Sequence, residues 1–170
     1  DRAPYIDRFV SFFKGPLSQD DVARSHAGKP KITTVVLNFL RAWGIHDAVL
    51  DVLPSDPQEN LDLFLSCVDF FLIFAKTSQN AEVIAEHWPV FFTAMQKHQN
   101  VQAPVLQLLR LIWARGNRLP PVQHADIKFV ISLVDPVDSL EVLPTVAALL
   151  NQGIPSHQLQ RDVLNILIDF

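Results

Sequence analysis

The residues of this chain best suited to hold a metal or act as nucleophile or base are six histidines and one cysteine. Their spacing joins none of them into a site. His26, His46, His87, His98, His124 and His157 fall in separate segments. His87 and His98 would share a side only if a helix ran straight through Pro89, and two ligands alone do not complete a zinc site. They are expected as surface or capping histidines. Cys67 stands inside an apolar stretch, where a small buried side chain is expected rather than a reactive thiol. As the single cysteine it excludes an internal disulfide. There is no Gly-rich phosphate loop, no His-Glu-x-x-His and no Gly-x-Ser-x-Gly, and the five glycines all fit caps or turns. The expectation is a chain that is not an enzyme and carries no cofactor or metal.

Arg110, Arg115, Arg118 and Lys128 form the one local basic cluster. Such a corner suits phosphates, and cations near a helix C-terminus also have a plain electrostatic reason to be there. Aromatic interleaving for base stacking is missing, and the net charge of −4 gives no global attraction to nucleic acid or acidic membranes. Nucleic-acid contact through this corner is the alternative reading of function.

Polar residues elsewhere recur as narrow stripes on otherwise apolar segments. Asp62, Ser66, Asp69 and Lys76 keep helical spacing in the segment Asp56 to Lys76, whose remaining circumference is Leu, Phe, Val, Ile and Cys. Asp56 as cap, Pro57 at the first helical position and Glu59 in the first turn predict a start at Asp56. Thr34, Asn38 and Arg41 repeat the pattern in a helix from about Pro30 to Trp43 that Gly44 ends as a left-handed cap. Gln107 and Arg110 do so in a helix capped by Asn100 and running to Arg115, and Asp162 and Asn165 in a last one.

Between these lie shorter helices, about Pro4 to Lys14, Ser18 to Ala27, Ile45 to Leu53, Ala81 to His87, Val90 to His98, Gln123 to Val134 and Val137 to Asn151, the last kinked at Pro144. Gly and Pro punctuate most of the joins. No window alternates as a strand does, so the chain reads as all-α with about ten or eleven helices. At 170 residues and 49% apolar composition it can bury an ample core as a single domain, 1–170. Asp62 and Asp69 interrupt the longest apolar run, so a soluble intracellular protein, cytoplasmic or nuclear, is expected. An Asp1 start and an apolar end at Phe170 lead to the expectation of a segment of a longer chain.

Val36-Leu37-Asn38-Phe39-Leu40-Arg41, Val105-Leu106-Gln107-Leu108-Leu109-Arg110 and Val163-Leu164-Asn165-Ile166-Leu167 share a local pattern, the first two followed by Trp43 and Trp113. Each closes a group of shorter helices. In this the chain resembles the armadillo and HEAT family of α-solenoids, with Asn80 to Arg115 most like one repeat. The resemblance implies a right-handed superhelix; a compact helical bundle is the structural alternative. It also implies that Thr34, Asn38, Arg41, Asp62, Ser66, Asp69, Gln107, Arg110, Asp162 and Asn165 line a groove for a peptide or helix of a partner protein. In the family's import receptors a tryptophan stands one turn before the groove asparagine. Here those positions hold Thr34, Ala103 and Arg161, so a basic import signal is not the implied ligand. The function so implied is a non-enzymatic interaction module of a larger scaffold or adaptor. Aromatic groups at Trp88, Phe91 and Phe92 and at Phe9, Phe12 and Phe13 read first as core and second as a covered surface.

Overall fold

Capping chemistry and apolar spacing set the helices of the computed structural model, which describes residues 3–15, 31–115, 123–133, 142, 144–148 and 161. Among the described residues every regular element is helical: α1 (Ala3–Lys14), α2 (Ile32–Ala42), α3 (Ile45–Leu50), α4 (Leu61–Phe74), α5 (Ser78–Ala85), α6 (Trp88–Lys97), a 3-10 turn (Gln99–Val101), α7 (Gln102–Arg115) and α8 (His124–Ser132). A further helical piece covers 144–148. The expected helices at 18–27 and from 156 onward lie outside the described residues, as does most of the one at 137–151.

Gly44 is the left-handed stop that its position predicts, with φ +65°. Its amide donates to the Arg41 carbonyl at 3.0 Å, and the same residue is the N-cap of α3. Several other boundaries differ from expectation, and three of the starts have an identifiable cause. α4 begins after Asn60 rather than at Asp56. The Asp56 carboxylate accepts from the Gln58 amide at 2.8 Å, so it closes a turn instead of capping a helix, and it lies 3.0 Å from His98 Nε2. Asn60 Oδ1 takes the cap, accepting from the Leu63 amide at 3.1 Å. α5 starts earlier than Ala81 because Thr77 Oγ1 accepts from the Asn80 amide at 3.3 Å. Asn100 sits within the 3-10 turn that leads into α7, and no cap bond is needed from it.

α4 is the helix around which the others are placed. It is buried on nearly all sides, with Phe64, Cys67, Val68, Phe71 and Phe74 fully enclosed. α1 lies along it in the most extensive helix pair among the described residues, and α7 and α5 also pack against it. α6 and α5 in turn pack on α7, while α2 rests on α3 and α5. Aromatic rings bridge these layers. Phe9 of α1 meets Phe70 at 5.2 Å, Phe71 meets Phe91 of α6 edge-on at 5.6 Å, and Phe92 meets Phe129 of α8 at 5.6 Å. Trp88 and Trp113 join α6 to α7 at 6.0 Å. The Trp88, Phe91 and Phe92 group is therefore core. Full burial of one such ring is worth roughly 1.5–3 kcal/mol.

Buried polar groups serve as joints. Asn80, fully buried, donates through Nδ2 to the Phe74 carbonyl at 3.1 Å and to the Leu37 carbonyl at 3.3 Å, which ties the end of α4 and the middle of α2 to α5. Arg115 Nη1 donates to the Lys76 carbonyl just beyond α4. Such carbonyls past a helix end have no intrahelical donor, so side chains from neighbouring elements complete them. Gln102 Nε2 does the same for the Met95 carbonyl of α6 at 3.3 Å.

Candidate interaction surface

Three residues of the polar stripes, Arg41, Ser66 and Asp69, are engaged between helices. Ser66, buried, donates through Oγ to Asp7 Oδ1 of α1 at 2.7 Å, and Asp69 Oδ2 receives Lys14 Nζ at 2.9 Å. That stripe is the polar seam beneath α1, with Asp62 exposed near its start. On α2, Arg41 Nη2 donates to Gln79 Oε1 of α5 at 2.8 Å, Asn38 is half-buried and Thr34 is exposed. Gln107 and Arg110 are half-buried on α7. Asp162 and Asn165 lie outside the described residues. The structure thus joins Ser66 and Asp69 to α1 and Arg41 to α5, and the expected continuous line is divided among these contacts.

At the basic corner, Arg115 is exposed and bonded to the Lys76 carbonyl, Lys128 is exposed on α8 and Arg118 lies outside the described residues. Arg110, Trp113 and Arg115 of α7 line an open cavity of about 450 Å³ together with Pro144, Ala147 and Ala148. His46 is not the surface or capping residue expected, whereas His98 stands at the cap position that ends α6. His46 is buried and stacks on Phe74 at 5.3 Å, and the side chain of His98 is 10% exposed beside Asp56. Cys67 is fully enclosed, and burial pushes its thiol up from 9.0 to about 11. Among the described residues no group of three or more His, Cys, Asp or Glu is placed to hold a metal, and no helix is long and apolar enough to cross a membrane.

The surface that stands out is apolar and belongs to α2. Val35, Phe39 and Trp43 are 59%, 55% and 69% exposed, one helical turn apart, with the Phe39 and Trp43 rings at 5.1 Å. At about 100° per residue their directions span about 80°, so they form one ridge. The opposite side of α2 is equally apolar, with Leu37 buried under α5. A helix apolar on both sides must be covered on both, and among the described residues the packing of α2 on α3 and α5 leaves the side of Val35, Phe39 and Trp43 open. Sequence reading missed this ridge by following the polar minority of the helix. The signal was present in the small number of polar positions, since Thr33, Thr34, Asn38 and Arg41 are too few to give a solvated half-circumference.

No family model, curated protein or solved structure matches the chain.

Proposed function

We propose that this chain is a non-enzymatic interaction module, an armadillo/HEAT-like helical-array segment of a scaffold or adaptor, and that it takes a helix of a partner protein on the outer ridge of α2. The observation that carries this reading is the alignment of Val35, Phe39 and Trp43 at i, i+4 and i+8 with each residue more than half exposed. A partner helix presenting its own apolar stripe fills such a ridge by side-chain interdigitation, and aromatic anchors give the largest share of binding energy in interfaces of this kind. The order of α4 to α7, with two long helices side by side and two shorter ones completing the layer, supports the array reading.

Site-resolved photo-crosslinking tests it. A photoreactive residue is placed in turn at positions 39, 62 and 128 of the 170-residue chain, in nuclease-treated extract, and the crosslinked segments are mapped. Crosslinks from position 39 to an amphipathic helical segment, competed by that segment as a free peptide, are expected. Crosslinks confined to position 62 or 128 would move the surface to the polar seam or the basic corner and overturn the proposal.

A further inference from the structure

We infer that the helix received by α2 is the α2 of a second copy of this chain, packed antiparallel about a two-fold axis at Phe39; this rests on the α2 ridge being a docking surface. The ridge reads as its own complement. Val35 and Trp43 stand at equal distances on either side of Phe39. A two-fold axis through Phe39 places the small Val35 against the large Trp43 of the second copy, twice, with the two Phe39 rings at the centre. Small against large keeps the separation of the two helices even along their length, as close packing requires.

Charge order agrees with the same symmetry. Lys31, exposed, stands at the N-terminal end of α2 without a side-chain cap bond. Asp47, exposed, holds its carboxylate at the other end, where Oδ2 is 3.2 Å from the site a Cβ on Gly44 would occupy. Lys31 and Asp47 are equally far from Phe39 in sequence. Lys31 is at the wrong end for the dipole of its own helix, whereas an antiparallel partner brings its C-terminal end and its Asp47 to that place. Asp47 also has an internal role in the first turn of α3. A parallel arrangement would put like charges together at both ends.

The three side chains offer roughly 400 Å² per copy, on the scale of 150–250 Å² for a buried aromatic. Two copies together then fall below the 1,200–2,000 Å² of a stable complex, so the dimer is reversible and concentration-dependent.

Trp43 reports on it directly, because Trp88 and Trp113 are buried. Acrylamide quenching and light scattering are followed from sub-micromolar to several hundred micromolar chain. Quenching of Trp43 that falls as dimer forms is expected. Lys31→Asp and Asp47→Lys should each weaken the dimer about tenfold, and mixing the two variants should restore it, since the mixed pair has opposite charges at both ends. Circular dichroism confirms that each variant is folded. A monomer with Trp43 open to quencher throughout would overturn the second copy and leave partner-helix docking standing. A monomer with Trp43 shielded throughout means that its own chain covers the ridge, which overturns both. A dimer indifferent to the charge variants overturns the antiparallel arrangement.

Discussion

Burial alone sets the behaviour of the Cys67 thiol. It is fully enclosed in α4, and the low-dielectric surroundings disfavour the thiolate, raising its pKa from 9.0 to about 11. The unfolded chain therefore loses this proton first. The contribution to stability is complete below pH 9, diminishes as the unfolded thiol ionises and is gone above about pH 11. Denaturant midpoints should fall across that interval, and Cys67→Ala should remove this part of the pH dependence; a thiol reagent should label the native protein only as fast as it opens. Asn80 is the second residue whose surroundings give a sharp expectation. Asn80→Ala removes the donor to both the Leu37 and Phe74 carbonyls and should cost about 2–3 kcal/mol in chemical denaturation. Asn80→Asp should be worse at neutral pH, where a carboxylate faces two carbonyl oxygens, and should recover on acidification as the acid regains a proton to donate. The inert cysteine was legible from its apolar neighbours. Asn80 was not, because Thr-Ser-Gln-Asn reads as turn chemistry until Thr77 is recognised as the cap that places Asn80 inside a helix.

Among the elements, the interiors were legible and the ends only where one residue type decides them. Gly44 decides: φ of +65° disfavours any side chain, and a Cβ would also meet Asp47 Oδ2 at 3.2 Å. Gly44→Ala should lower stability by about 1–2 kcal/mol, read from the urea midpoint with m unchanged. Asp56 and Asn60 show the opposite case, two good caps in one short segment. Residue type cannot choose between them: Asp56 is taken up by the Gln58 amide and has His98 3.0 Å away from beyond α6, whereas Asn60 meets the Leu63 amide. Asn60→Ala should then cost about 1 kcal/mol as a lost cap. Asp56→Ala should instead loosen the corner at His98, seen as faster amide exchange in residues 52–59 while α4 stays protected. The polar stripes were legible as stripes on their helices. What they face was not, since sequence spacing on α4 carries no information that Asp7 and Lys14 of α1 will meet Ser66 and Asp69.

At the scale of the whole molecule the all-helical class was legible from period and punctuation, whereas the division of apolar faces into core and open surface depended on which helices come together. Phe71 and Phe39 make that division measurable, being the same residue type on two helices. Phe71 is fully enclosed and meets Phe70 and Phe91 edge-on at 5.2 and 5.6 Å. Phe71→Ala should cost about 3–5 kcal/mol, with exposure of the core to a hydrophobic dye. Phe39 is 55% exposed and its described ring neighbour is Trp43, itself open to solvent. Phe39→Ser should change the denaturant midpoint of the monomer by only about 0.5 kcal/mol in either direction while raising solubility at high protein concentration. If the two substitutions destabilised the dilute chain alike, Phe39 would be a core residue covered by its own chain, and the α2 ridge would lose its standing as a docking surface. Unequal costs, with the Phe39 effect appearing only as concentration rises, would locate the unsatisfied apolar face of the fold on α2.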